Sequence, residues 1–384
     1  MHIFMSGDTY LPLVGGAEVH VFELQKRLRA LGHAVTLLVT DPRIAEEDKM
    51  FPVLRAAWSL KRVPQLFVTV WRASRTAEVF HVHNCYRLGV VVGFVARLRR
   101  KPCVVTLHGL GLLDIPDNSW FYTRVHHLYR TLSLLFATEI ISTSEDLAEV
   151  CRRYSSRPLV VIPNGLDTLA FHPTKVAETQ EARFADAEPM ILTVRRLVPK
   201  NGIHYLISAL PFILKQFPHA KLVMIGDGRM RENLEARAKH LGVYDACLFL
   251  GALPNAQVPP LAKRADVVVF PSTAESTSIA CAEMMAMGKK IVASRVGGLI
   301  ELLGKNEERG WLMKLVPWES CDYAAPDELP LDRYEALAAR VCEALRDQDP
   351  ARCERAQHYA CEQLDWHVVV AKTLAVYERL RTSL

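Results

Sequence analysis

Short apolar runs of four to six residues, recurring with helical stretches between many of them, direct this chain toward parallel α/β sheets. The first lies at residues 2–6, in His2-Ile3-Phe4-Met5-Ser6. A helical pattern follows over 16–31, with Val19, Phe22, Leu28 and Leu31 expected on one face, and residues 34–39 are apolar again. Strand, helix and strand in that order form a βαβ unit, whose parallel strands require the crossover. The alternation continues through strands expected at 79–82, 103–107, 139–142 and 159–162.

Between Phe171 and Glu188 the periodicity lapses into a polar, Ala-rich stretch containing Pro173, Thr174 and Thr179. Strands are expected again at 190–194, 221–225, 247–250, 267–270 and 290–293. A chain of 384 residues exceeds one ordinary core and suits two domains. The expected division is 1–172 for an N-terminal domain, 173–188 for a linker and 189–364 for a second domain. A C-terminal helix over 365–384 is expected to pack back on the first. The fold class is α/β, with two doubly wound Rossmann-like domains facing each other across a cleft.

Composition excludes several classes. The longest apolar runs, such as 88–96, fall far short of the ~20 residues that span a bilayer. No secretory n-region precedes the first strand, so a cytoplasmic location is expected, including the inner face of the membrane. Nine cysteines without a Cys-x-x-Cys pair read as reduced, buried residues. Of the +5 net charge, all arises before residue 173: 20 Lys and Arg stand there against 15 Asp and Glu, leaving 27 against 27. So dispersed an excess does not suit nucleic acid, but it can attract an anionic membrane or a phosphorylated acceptor. The aromatic and basic stretches at 58–62, 66–75 and 120–136 belong to the same half.

The densest chemistry lies at 271–283, where Glu275 and Glu283 stand eight residues apart after an apolar strand. On a helix that spacing is roughly 12 Å, enough to place one carboxylate at a sugar and another at a ribose. Ser276, Thr277, Ser278 and Ile279 are expected to open the helix and offer backbone N–H groups to phosphate. Arg196 and Lys200 sit in a strand-to-helix loop at the carboxyl edge of a sheet, where two cations can hold a diphosphate. Gly15 and Gly16 begin the first helix, but no Gly-x-Gly-x-x-Gly fingerprint accompanies them. His108 directly follows a buried strand and is expected to face the cleft. Asp347-Gln348-Asp349 reads as a solvated turn and His126-His127 as helix surface, so no metal site is expected.

Glu275 and Glu283 resemble the Glu-x7-Glu motif of family-4 glycosyltransferases, retaining enzymes of the GT-B fold. Gly15-Gly16-Ala17-Glu18-Val19-His20, Pro163-Asn164-Gly165-Leu166-Asp167 and Val296-Gly297-Gly298-Leu299-Ile300-Glu301 resemble further segments of that family, as do Gly226-Asp227-Gly228 and Leu250-Gly251. Two segments depart from its pattern. Ser276-Thr277-Ser278 replaces the usual Gly-Phe-Gly, and Arg195-Arg196-Leu197 replaces Gly-Arg-Leu, with Lys200 one place early.

The resemblance implies transfer from a nucleotide-diphosphate sugar, UDP preferred over GDP, to a glycan or lipid-linked acceptor in cell-envelope synthesis. Glu283 would hold the ribose, and Arg196, Lys200 and the 276–279 backbone the diphosphate. Gly15, Gly16, Gly226 and Leu253 would complete the donor site. Glu275 would bind sugar hydroxyls, His108 would lie near the anomeric carbon, and His20 and Asn164 would serve the acceptor. No cofactor, metal or nucleic acid is implied, and peripheral membrane contact would run through the first domain. Alternatives are an NAD-independent nucleotide-sugar epimerase and an inactive sugar-nucleotide-binding subunit. The matches at Gly15-Gly16 and at Glu275 to Glu283 favour transfer over isomerisation, and Glu275, Lys200 and His108 together argue against an inactive subunit.

Overall fold

The computed structural model describes residues 1–12, 15–109, 120–177, 179, 184, 186–319 and 326–382. It divides into two compact units, Met1–Gly165 with Trp366–Leu384, and Leu166–Asp365. In the first, the chain runs β1 (His2–Gly7), α1 (Gly16–Ala30), β2 (Ala34–Val39), β3 (Val53–Arg55), α2 (Val63–Ala73) and β4 (Val79–His83). It continues through α3 (Arg87–Leu98), β5 (Cys103–Leu107), α4 (Trp120–Phe136), β6 (Glu139–Ser142), α5 (Glu145–Arg152) and β7 (Leu159–Val161).

These seven strands form one parallel sheet in the order β3-β2-β1-β4-β5-β6-β7. Alternate residues of β1 serve opposite faces: Phe4 enters one core with Phe80, Val92 and Val105, while Ile3 and Met5 enter the other with Leu24 and Leu37. α1 buries His20, Val21, Leu24, Gln25 and Leu28. Of the face expected from Val19, Phe22, Leu28 and Leu31, Leu28 is buried, Val19 and Phe22 are half-buried and Leu31 is exposed. Spacing at 3.6 residues defines a face only to within a neighbour, and Gln25 is buried because its amide donates to the Tyr10 hydroxyl.

The second unit runs β8 (Met190–Val194), α6 (Ile203–Leu214), β9 (Lys221–Ile225), α7 (Arg231–His240), β10 (Cys247–Gly251), α8 (Val258–Arg264) and β11 (Val267–Phe270). Then follow α9 (Ile279–Ala286), β12 (Ile291–Ser294), α10 (Gly297–Leu303), β13 (Trp311–Met313), α11 (Leu331–Arg346) and α12 (Ala351–Gln363). Its parallel sheet has the order β10-β9-β8-β11-β12-β13. Residues 173–188, expected as a linker, fall inside this unit. Phe184 and Ala187 are buried there in one core with Phe171, Met190 and Phe270.

The last helix, α13 (Trp366–Thr382), belongs to the first unit, where Trp366, Val369, Val370 and Tyr377 join the core that holds Leu24 and Leu28. Six of the eight described cysteines are buried and two partly so. Among the described residues, no helix is long and apolar enough to cross a membrane.

Candidate active site

In the second unit the strand order reverses between β8 and β11, and the loops leaving those strands lie at the carboxyl edge of the sheet, the place where open α/β sheets bind ligands. The loop after β8 carries Arg195, Arg196 and Lys200, and the loop after β11 carries Glu275. The two are tied together, since the Lys200 carbonyl accepts from the Thr273 amide at 2.8 Å and from its hydroxyl at 3.3 Å. Gly202 makes this approach possible: its φ is +67°, and a Cβ there would lie 1.8 Å from the Pro271 oxygen. On the other side the Gly298 amide donates to the Glu275 carbonyl at 2.9 Å, and a Cβ on Gly298 would lie 2.3 Å from the Ser276 oxygen.

Arg195 is the centre of this loop system. Its guanidinium donates to Asn201 Oδ1 at 2.9 Å, Ser272 Oγ at 2.6 Å and Ser278 Oγ at 3.0 Å, and it forms an ion pair with Glu275. Both side chains are less than a tenth exposed, where a charge-assisted pair is strong and an unpaired member costly. Residue order alone does not single out Arg195 from Arg196 beside it. The cue was its place where the family pattern has glycine, so that a long side chain enters ground the pattern leaves empty. Arg196 and Lys200, chosen instead, lie exposed on the same loop.

Glu275 and Glu283 are not joined by one continuous helix. Residues 275–278 form an irregular loop, and α9 begins at Ile279 with Ser278 as its cap, the Ser278 hydroxyl accepting from the Cys281 amide at 3.2 Å. Arg195 and that cap hold the Ser278 hydroxyl, so it serves loop and helix. Ser276 is buried and Thr277 half-buried. Glu283 stands within the second turn of α9, where burial pushes its carboxyl up to about 8. Gly226 follows β9, its amide donating to the Gly251 carbonyl at 2.8 Å, and Leu253 packs against the core that contains Phe270 and Ala282.

In the first unit the reversal falls between β1 and β4. Gly15 caps α1 in an extended conformation, Gly16 is its first residue, and His20 lies one turn further. His83 ends β4 and His108 follows β5, which neighbours it. Their rings are joined by a hydrogen bond of 2.9 Å between His83 Nδ1 and His108 Nε2. The His108 amide donates to Asn84 Oδ1 at 3.2 Å. His20 approaches His108 edge-on with centroids 4.7 Å apart, and Trp366 packs 5.1 Å from His20. Asn164 hydrogen-bonds in the same group.

Beneath these rings, His81 Nε2 meets Thr106 Oγ1 at 2.6 Å and its Nδ1 is bonded to the Tyr377 hydroxyl. Burial lowers every imidazole here, His108 to about 4, His81 to about 3, and His20 and His83 well below their ordinary value. All four are neutral at pH 7, so within the His83–His108 bond one nitrogen donates and the other accepts. Among the described residues, His20, His83 and His108 also have metal-ligand proximity, with one ligand atom from each within 4.8 Å of the others. His81, His83, Asn84, Tyr377 and Trp366 were missed by the sequence reading, although period-two spacing puts His81 and His83 on one side of a strand. Asp347 and Asp349 lie half-buried and exposed between α11 and α12, while His126 and His127 lie half-buried and exposed on α4.

The predicted residues thus form two groups, one in each unit, each at the carboxyl edge of a doubly wound sheet. Residues 14–169 match the description Glycosyltransferase Family 4, and residues 175–321 match Glycosyl transferases group 1. An uncharacterised glycosyltransferase of Methanocaldococcus jannaschii is 30% identical over 81% of this chain and 84% of its own. A phosphatidyl-myo-inositol mannosyltransferase of Mycobacterium tuberculosis is 26% identical over 96% and 94%. Among solved structures, Anabaena HepE in complex with UDP-glucose superimposes with a TM-score of 0.75 at 20% identity, covering 98% of this chain and 100% of that one. Paired Rossmann-like sheets, the glycine-fixed loop at Glu275 and these relatives together place the chain in the family-4 glycosyltransferases of the GT-B fold.

Proposed function

We propose that this glycosyltransferase is a retaining, metal-independent enzyme that moves a hexose from a UDP-sugar to a hydroxyl of a glycan or lipid-linked acceptor. The observation that carries the reading is the meeting of the loops after β8 and β11, where Arg195 fixes the Glu275 carboxylate beside the start of α9. Glu283 holds the ribose. Arg196, Lys200 and the 276–279 backbone receive the diphosphate and balance the charge it gains as the glycosidic bond breaks. Gly226 and Leu253 flank the nucleotide, and Gly15 and Gly16 supply backbone N–H groups to phosphate or sugar once the Glu18 carboxylate, which lies against Gly15, swings aside.

Glu275 accepts hydrogen bonds from sugar hydroxyls, and Arg195 orients it for that work. His108, aligned by His83, serves the reacting centre, with His20 and Asn164 on the acceptor side. The departing phosphate takes the acceptor's proton on the face it leaves, which retains configuration without a covalent enzyme intermediate. Protein cations and backbone dipoles meet the charge, so no divalent ion is required. UDP-glucose in the Anabaena complex and the lipid-directed names of relatives, including an alpha-monoglucosyldiacylglycerol synthase of Streptococcus pneumoniae, support this donor and acceptor class.

The enzyme works in the cytoplasm, at the inner face of the membrane. Residues 55–101 carry ten Lys or Arg against the single acid Glu78, on a unit that exposes Trp71, Phe94 and Leu98. A calorimetric screen of UDP- and GDP-sugars, repeated on Glu283→Ala, tests the donor site. One UDP-sugar is expected to bind, and to bind at least tenfold more weakly to the variant. Magnetic resonance of the product then reports anomeric configuration. An inverted product, isomerised donor without acceptor, or activity abolished by EDTA would each refute the corresponding part.

A further inference from the structure

His20, His83 and His108 come together from three separate elements, α1, the end of β4 and the residue after β5. None is more than 9% exposed, and one ring nitrogen of each lies within 4.8 Å of the other two. Two of these buried rings carry a nitrogen without a hydrogen-bond partner among the described residues, His20 Nδ1 and His83 Nε2. Buried imidazoles ordinarily place both nitrogens in hydrogen bonds. Neutral imidazole lone pairs held close together are ligands for zinc, copper and nickel rather than for magnesium or calcium. Zinc–nitrogen bonds of ~2.0–2.1 Å set tetrahedral ligand nitrogens roughly 3.4 Å apart, so separations of up to 4.8 Å need change by no more than about 1.4 Å. Trp366 packs on His20, and Asn164 hydrogen-bonds in the group, giving the ligands support of the kind metal sites use.

We propose that His20, His83 and His108 form a binding site for a transition-metal dication of the zinc class. Three imidazoles ligate the ion, and the fourth position is left to water or an anionic oxygen. Because His108 cannot ligate a metal and serve the reacting centre at once, occupancy switches transfer off. That consequence, unlike binding itself, rests on the role proposed for His108. The metal is an inhibitor here, not a requirement.

The test titrates the chelator-treated full chain with cobalt(II) chloride and records visible absorption. One equivalent of cobalt is expected to give the intense bands of a four-coordinate ion, bleached when zinc sulfate displaces it. His83→Gln and His20→Gln, each checked for folding by near-ultraviolet circular dichroism, should abolish the bands. His358→Ala, which removes an exposed pair with Glu362, should leave them unchanged. A weak six-coordinate spectrum, absence of saturation at one equivalent, or bands surviving both ligand variants overturns the site. Equimolar zinc should lower transfer at least tenfold, with recovery in EDTA. Stoichiometric binding with transfer undiminished would overturn the switch and remove His108 from catalysis, while leaving the nucleotide screen on the second unit unaffected.

Discussion

The carboxylate of Glu275 is bonded to the guanidinium of Arg195, eighty residues earlier in the chain, and neither side chain is more than a tenth exposed. Removing one partner of such a pair strands the other charge in a poor dielectric, at a cost of about 3–5 kcal/mol. Arg195→Ala should therefore lower stability by that order in denaturant unfolding. Arg195→Met with Glu275→Gln should cost clearly less than the two single changes summed, because neither charge is then left alone. Glu275→Gln alone should leave nucleotide affinity within about twofold while lowering kcat on the order of 100-fold, through lost orientation of the sugar. Additive singles would show that the two side chains do not act as a pair.

Gly298 offers a separate handle on the same loop. Its added Cβ would lie 2.3 Å from the Ser276 oxygen, a backbone atom that cannot swing aside as a side chain can. Gly298→Ala should displace residues 275–277 and reduce kcat/KM by on the order of 100-fold, the scale of an ångström misplacement at a reacting group. Gly32→Ala provides the contrast: nothing lies within 4 Å of its Cβ, so its φ of +82° should cost stability alone. Equal losses of activity in both variants would refute the positional argument.

Glu283 makes stability depend on pH in a direction opposite to most carboxylates. Burial raises it from 4.5 to about 8, so the folded state binds its proton more tightly than the unfolded state does. The resulting stability is complete below the unfolded value and is lost as pH rises through about 8. Between about pH 5 and about pH 9, the melting temperature of the protein should fall more steeply than that of Glu283→Gln. Parallel curves would mean that Glu283 ionises normally.

Much of the architecture was legible because buried parallel strands must be short and continuously apolar, as in Val267-Val268-Val269-Phe270. β3 (Val53–Arg55) and β13 (Trp311–Met313) escaped; both are short, and pairing with β2 and β12 defines them. The apparent linker misled because Phe184 and Ala187 are isolated apolar residues in a polar sequence, and their burial depends on a core built by residues on both sides of them in the chain. At the site, Glu275 and Glu283 were readable from spacing, whereas Arg195 was not. Two adjacent arginines differ only in where the backbone aims them, and that is set by Asn201, Ser272 and Ser278 across the fold.

Acid should loosen the first unit before the second. His20, His81, His83 and His108 are held neutral by burial, His108 at about 4 and His81 at about 3. A group depressed from 6.5 contributes stability that is present above 6.5 and lost as pH falls through its folded value. Four such rings share one cluster, whereas in the second unit the lowered imidazole is His204, and Glu283 gains stability on acidification. Amide exchange should show β4 and β5 losing protection between about pH 6 and about pH 4, ahead of β8 and β11. Loss of both sheets together would refute the unequal burial of charge.

Membrane contact can be separated from folding by substituting exposed residues alone. Trp71 and Phe94 are 40% and 42% exposed, Phe67 bridges them with ring centroids 6.0 and 6.2 Å away, and the Arg99 guanidinium lies 4.1 Å from the Trp71 ring. Aromatic rings flanked by basic residues suit the headgroup region of an anionic bilayer, where each Lys or Arg near the surface adds about 1 kcal/mol. The protein should float with phosphatidylserine vesicles at low salt and be released as salt screens the charges. Trp71→Ala with Phe94→Ala should reduce flotation at least fivefold, while exposed substitutions of this kind change stability by only about 0.5 kcal/mol each. Protein remaining wholly in the soluble fraction would exclude the contact; flotation unchanged in the double variant would move it off α2 and α3.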